Sequence, residues 1–453
     1  MNNPQPISDI HSQSLSDSMA RFAVECRSED IPDSALEVMR WSILDWCGVA
    51  LAGYSEPVSE KLRRLALHDG GREEATIVGS PVKVPVRSAA LVNGSTSHAL
   101  DYDDSHFSYV GHPSAAVIPA VLAVSEQRQV DLTRFVEAAL IGVEATCRIG
   151  QWLGRDHYQA GFHQTATSGC LGAALAVSRL LNLSFDETLH ALGLATTRAS
   201  GLKSQFGTMG KPYNAGIAAT NGVEVALLAA DGFVSRPDGL ECEQGFGPSH
   251  HGENYYPDTV LDGLGRRFIF ESIQHKFHAC CHGLHAAIEA LKQARDEHGL
   301  SASDIDSVNI TTNPRWLKVC NIAEPETGLQ AKFSYRQVVA MVMNGQDTSA
   351  LASYSESACA DGHNRQMRNK VNVVDDANLS DTESVVRLVT TSGTELESRY
   401  DLEAPLQRSV REQKVLAKAD SLVGNHATVI WNCISGQGTR PVSELSGLLK
   451  EAV

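Results

Sequence analysis

From about residue 12 to residue 265 the apolar positions recur at helical spacing, broken by Gly, Pro, Asn and Asp. Ser16 or Asp17 is a candidate cap for a helix ending near Cys26. Pro32-Asp33 opens a segment toward Ala52 in which Leu36, Val38, Met39, Ile43, Leu44, Trp46 and Val49 are apolar. Further helices are predicted at 87–99, 114–127, 131–150, 164–181, 185–196 and 214–231. The run Gly169-Cys-Leu-Gly-Ala-Ala-Leu-Ala-Val-Ser is apolar on nearly every side, the mark of a helix enclosed in a large bundle. Its small residues let neighbouring backbones approach closely.

The pattern changes after about Gly263. A helix is predicted from Cys281 to His298, then a strand at Ser307-Val-Asn-Ile-Thr-Thr, helices at 334–344 and 361–369, and a strand at Lys370-Val-Asn-Val-Val. Residues 384–391 and 394–401 alternate around Ser392-Gly393, which reads as a hairpin turn. This mixture predicts a separate α+β unit, and from about Ser409 the chain returns to helix, in a tail expected to pack back on the first part. The expected division is 1–266 helical, 267–403 α+β and 404–453 helical.

Composition narrows the function classes. The 453 residues are 42% hydrophobic and 20% charged, a balance suited to a globular core. With 38 basic against 54 acidic residues the net charge is −16, which argues against nucleic acid and anionic membranes as partners. A few lysines can still form a local positive pocket for an anionic substrate. No apolar run reaches membrane-spanning length, and Met-Asn-Asn-Pro-Gln-Pro does not read as a secretory signal. The ten cysteines include no CxxC pair and read as reduced thiols, so a cytoplasmic location is expected.

Four segments hold candidate chemistry. In the first, Asp101, Asp103 and Asp104 crowd three carboxylates into four positions, followed by Ser105, His106 and then Gly111-His112-Pro113. Buried, such a cluster needs a raised pKa or cationic partners, and His112 suits proton transfer near neutrality. A solvated acidic loop capping the next helix is the plain alternative. A metal reading finds no calcium-loop pattern here. In the second, Gly161-Phe-His163 precedes the buried small-residue helix and would sit at its positive end, where anions are stabilised. In the third, Gly207-Thr-Met-Gly210-Lys211-Pro212 fails as a phosphate loop, because Gln205 and Pro212 occupy positions that need Gly and Ser or Thr. Its glycines and proline could still fix Lys211 in a tight loop. The fourth is His275-Lys276-Phe-His278-Ala-Cys280-Cys281-His282-Gly-Leu-His285. Four histidines invite a zinc reading, but Gly283 and the aromatic start divide them between an extended run and a helix, and no carboxylate supports a catalytic ion.

Taken together these segments resemble the MmgE/PrpD family. The resemblance rests on Asn93-Gly through His98-Ala-Leu-Asp101-Tyr-Asp-Asp, Gly111-His112-Pro-Ser, Gly161-Phe-His163, Phe206-Gly-Thr-Met-Gly-Lys211-Pro, Asn221-Gly, Lys276-Phe-His-Ala-Cys280-Cys281, His285-Ala-Ala and Ala331-Lys332-Phe-Ser334, in the family's order. It implies a mainly α fold: a large all-helical domain built from both chain ends, a smaller α+β lid domain inserted between them, and a homodimer. It also implies no metal, flavin or nucleotide cofactor. Carried over by position, the site residues are Asp101, Ser105, His112, His163, Lys211 and Lys276. Ser105 stands where the decarboxylase branch tends to have threonine, one extra residue lies between Ser105 and His112, and His278 stands where many members have an aromatic residue.

Family substrates are small polycarboxylates, and the shared problem is charge building up beside a carboxylate as a proton or carboxyl group leaves carbon. Lys211 and Lys276 would clamp carboxylates, His112 and Asp101 would move protons, and Ser105 and His163 would bind substrate. The leading expectation is a carbon–oxygen lyase dehydrating 2-methylcitrate or a related hydroxy-polycarboxylate. A cis-aconitate-type decarboxylase is second and an amino-dicarboxylate epimerase third. A zinc-binding regulatory protein is the non-enzymatic alternative.

Overall fold

The computed structural model describes residues 14–251, 258–436 and 438–451, so the reading of the first six residues lies outside it. The chain is mainly helical and divides into two compact units, residues 1–275 with 423–453, and residues 276–422.

The first unit is built on the helix Gln164–Leu180, in which every residue except Arg179 is buried. Helices Pro113–Arg128, Leu132–Gln159 and Gly210–Ala230 pack against it, and Val86–Ser97 packs on Pro113–Arg128 and Gly210–Ala230. Small residues set their spacing. A methyl group at Gly172 would overlap Thr146 Oγ1 and the Gly142 carbonyl oxygen, and one at Gly222 would overlap Ala173. The Leu132–Gln159 helix is interrupted at Gly154, where φ is 72°. Asp33–Ala52 runs as its Pro-Asp start and apolar positions predict. The Pro57–Asp69 helix was not anticipated, although Pro57 at its start and Val58, Leu62 and Ala66 on its buried side are regular helix signals. Two short strands, β1 (Ala75–Thr76) and β2 (Lys83–Val84), form an antiparallel ribbon. Near the C-terminus, His426–Ser435 packs on Asp33–Ala52 and Val442–Leu448 on Pro113–Arg128.

The second unit holds a four-stranded sheet in the order β4 (Val371–Asp375), β3 (Ile305–Thr312), β5 (Glu383–Thr390), β6 (Glu395–Asp401). β3 runs parallel to β4 and antiparallel to β5, and β5 and β6 form a hairpin. Gly393, at φ 84°, supplies the left-handed residue of its turn. Ser384, Val386, Leu388 and Thr390 alternate inward on β5, with the His285–His298 helix packed against β5 and β6. The helix Arg408–Val423, expected in the C-terminal helical part, lies almost wholly in this unit. Lys414 explains the placement: its Nζ is 2.8 Å from Glu289 Oε1 and 5.2 Å from the Phe277 ring centre. Among the described residues no helix is long and apolar enough to cross a membrane.

The close helix approach has a direct test. Gly172→Val should cost about 3 kcal/mol by overpacking, read as a lower urea midpoint with an unchanged slope. An unchanged midpoint would refute the tight crossing.

Candidate active site

Three helix starts meet at one place in the first unit. His112 immediately precedes Pro113–Arg128, His163 precedes Gln164–Leu180, and Lys211 is the second residue of Gly210–Ala230. Lys211 is therefore helical and not in a loop as expected. Pro212 is tolerated beside it because the first turn of a helix has no internal partner for its N–H groups. The His112 amide donates to Thr165 Oγ1 at 3.1 Å, which ties two of the starts together. Unpaired amides and the helix dipoles make this place favourable for anions.

The side chains form a continuous polar chain. Lys211 Nζ lies 2.7 Å from Asp101 Oδ2, and the other oxygen of Asp101 lies 3.6 Å from His112 Nε2. His112 Nδ1 is 3.2 Å from Asp103 Oδ2. Asp103 also receives His98 Nδ1, at 3.0 Å from each oxygen. Burial pushes the Asp103 carboxyl up, but the His98 and His112 imidazoles more than offset this and hold it well below its ordinary value. Burial lowers His98, so a neutral ring donating through Nδ1 fits its contact with Asp103.

His163 is stacked 5.8 Å from His98 and meets Phe206 edge-on at 5.0 Å. Burial, then His98, Lys211 and His112, keep its pKa well below the ordinary imidazole value. Asn214 Nδ2 donates to its Nδ1 at 3.3 Å, which leaves Nε2 as the protonated nitrogen of a neutral ring. Asp101 has a left-handed backbone, φ 51°, one of four non-glycine residues with positive φ among those described.

Of the residues singled out in the sequence, Asp101, His112, Lys211 and His163 are thus gathered in one place. Ser105 pairs through its amide and carbonyl with Gln274, at 2.9 and 2.8 Å, two residues before Lys276 in the chain. Lys276 is buried and opens the second unit. The geometry adds His98, Asp103 and Asn214. A sequence signal existed for His98 and Asp103 in the density of histidine and carboxylate between positions 98 and 112, but their pairing depends on the turn after Ser97.

His98, Asp101, Asp103 and His112 also offer ligand atoms within 4.8 Å of one another. A cation there would have to displace the Lys211 ammonium from Asp101 and compete with both imidazoles for Asp103, so the arrangement suits proton handling better. The histidines of the 275–285 segment have hydrogen-bond partners of their own, and the His285 ring meets those of His278 and His282 edge-on. His275 Nε2 is 3.0 Å from Ser42 Oγ, His278 contacts Thr348 and Glu289, and His285 Nε2 contacts the Cys280 carbonyl oxygen. Among the described residues they form no group spaced to hold a metal.

Behind Asp103 lies Asp104, fully buried, with Ser114 Oγ donating to it at 2.5 Å. Burial, followed by the Asp45 carboxylate, pushes its pKa up to about 7, against the opposing effect of the Ser114 hydroxyl. The unfolded chain therefore releases this proton first. Its contribution to stability falls as pH rises from the ordinary aspartate range to about 7, and the penalty is complete above that. Asp104→Asn keeps an acceptor for Ser114. It should add about 2 kcal/mol at pH 8 and almost nothing at pH 4, measured by denaturant unfolding. A gain independent of pH would contradict a neutral buried acid.

The chain is 31% identical over 294 residues to the cis-aconitate decarboxylase-like protein oryM of Aspergillus oryzae, covering 61% of this chain and 60% of that protein. It is 31% identical over 293 residues to cis-aconitate decarboxylase of Aspergillus terreus, covering 62% and 60%, and 28% identical over 254 residues to the human enzyme of that name, covering 55% and 52%. These matches span less than two thirds of each relative's length. Residues 17–257 match the MmgE/PrpD N-terminal domain and residues 278–429 the MmgE/PrpD C-terminal domain. The chain belongs to the MmgE/PrpD family.

Proposed function

We propose that the protein is a lyase acting on a small polycarboxylate. The observation that carries this reading is the sharing of Asp101 between the Lys211 ammonium and the His112 imidazole, at the meeting point of three helix starts. An ammonium beside a proton-carrying ring is what a reaction with charge developing next to a carboxylate requires. Lys211 binds a substrate carboxylate and stabilises the enolate-like charge. His112 moves the proton, oriented by Asp103 through Nδ1, and His163 donates from Nε2 to a substrate oxygen. Ser105 is a further substrate contact, and Lys276 a second carboxylate clamp. A cytoplasmic homodimer whose inserted α+β unit serves as a lid completes the proposal.

Between the two lyase chemistries, the similarity to proteins named cis-aconitate decarboxylase favours decarboxylation over the dehydration expected first from the sequence. In decarboxylation the carbon–carboxylate bond breaks and CO₂ leaves. The bonding pair delocalises into the neighbouring unsaturated carboxylate beside Lys211, and His112 then delivers a proton to carbon. In dehydration the neutral His112 ring takes the carbon-bound proton, the carbon–oxygen bond breaks, and the resulting imidazolium returns the proton to the departing hydroxyl, which leaves as water. Incubation with cis-aconitate, 2-methylcitrate, citrate and amino-dicarboxylates, followed by mass spectrometry, tells these apart. Loss of CO₂ from cis-aconitate is the expected result, loss of water from a hydroxy acid would establish the dehydratase, and no turnover of any acid would overturn the lyase reading.

Lys211→Ala should leave the thermal midpoint within a few degrees of wild type and lower kcat/KM by about 10²–10³. His112→Gln should lower kcat by about 10²–10⁴ with little change in KM. Full activity in either variant would remove that residue from the mechanism.

A further inference from the structure

The second unit contains a thiol pair that the proposed reaction does not use. Cys281 Sγ and Cys320 Sγ are 3.1 Å apart. Two sulfurs in ordinary contact sit farther apart than this, and a disulfide bond is ~2.05 Å long, so closure needs a relative movement of about 1 Å. The two residues come from distant parts of the chain, yet both backbones are fixed. The Cys281 amide donates to the Lys332 carbonyl at 2.9 Å, and the Cys320 amide to the Trp316 carbonyl at 2.7 Å. Between them the Trp316 ring lies so close to Gly283 that a side chain there would overlap it, and Tyr335 Oη donates to the Gly283 carbonyl at 2.7 Å. The pair therefore sits at a rigid crossing of two segments.

Their exposures differ in the way a reactive and a resolving thiol should. Cys320 is fully buried, whereas Cys281 is partly exposed. The contact with Cys281, followed by burial, raises the Cys320 pKa, so Cys320 is the protonated partner. We propose that Cys281 and Cys320 are a reversible oxidation site, closing to a disulfide when the protein meets a peroxide. Cys281, as thiolate, attacks one peroxide oxygen. The O–O bond breaks, Cys281 becomes a sulfenic acid, and hydroxide leaves to be protonated to water. The Cys320 sulfur then attacks the Cys281 sulfur, the S–O bond breaks, and the Cys320 proton leaves with the hydroxyl as a second water. Two thiols are oxidised and one peroxide is reduced to two waters.

Lys276 lies just before this pair in the chain, and its charge is close enough to act on the Cys280 thiol next to Cys281. Oxidation at Cys281 therefore takes place beside the thiol on which the proposed clamp Lys276 acts. The site itself does not depend on the lyase reading.

The test is direct. The full-length protein is treated with hydrogen peroxide, remaining thiols are alkylated, and tryptic peptides are mapped. The expected product is a peptide pair joined through Cys281 and Cys320, lighter by two hydrogens, with two of the ten thiols lost and both recovered after dithiothreitol. Cys320→Ser should abolish the joined pair and leave Cys281 to accumulate as sulfenic and sulfinic acid. Cys281→Ser, at the more exposed position, should leave Cys320 unmodified at the same dose. Overturning results are a disulfide elsewhere with this pair intact, over-oxidation of Cys281 in the wild type with no cross-link, or cross-linking that persists in both variants.

Discussion

Close packing of helices is the constraint from which the site follows. Gly172 fits against Gly142 and Thr146, Gly222 against Ala173, and Gly94 against Gly216, and at each place a side chain would push two helices apart. Dense contact of this kind is sensitive to single methyl groups, because the surrounding helices have no space into which to relax. Here it also fixes where helices begin. Pro113–Arg128, Gln164–Leu180 and Gly210–Ala230 start near one another, so their unpaired amides and positive dipole ends add in one small region.

That region would be too positive to hold Lys211 without compensation, and the carboxylates supply it. Asp101 is exposed enough to meet solvent and pairs with Lys211 at the open end. Asp103 is deeply buried, where an isolated charge is costly, and it is retained in ionised form by the hydrogen-bonded His98 ring and the nearby His112 imidazole. One carboxylate thus fixes the orientation of the rings while the other meets the ammonium. His163, kept neutral and oriented by Asn214, adds a directional donor without adding charge.

The sequence shows some of this and hides the rest for identifiable reasons. The Gln164–Leu180 helix was legible because a long run of small apolar residues has no other stable environment. The alternation of Ser384, Val386, Leu388 and Thr390 around Gly393 likewise revealed the hairpin. The crowding of Asp101, Asp103 and Asp104 beside His112 points to the candidate site, since buried carboxylates at that density need partners. Lys211 was misread because Gly-Lys-Pro contains two helix breakers, and only the position of Pro212 in the first turn makes them compatible with a helix. The pairing of His98 with Asp103 was hidden because no helical or strand period brings residues five apart together, whereas the turn after Ser97 does. The thiol contact between Cys281 and Cys320 joins positions 39 residues apart and has no local signature at all.

The backbone of Asp101 limits what evolution or an engineer can place there. At φ 51° few side chains sit without strain, and Asn, Asp and Gly tolerate it best. Asn satisfies the chain but not the ammonium, and Gly satisfies the chain and leaves nothing to meet Lys211. Glu retains the charge, with a longer reach and a poorer fit to the turn. Conformation and charge act as two independent filters whose overlap contains a single amino acid, so this position should tolerate exchange less than its solvent exposure suggests.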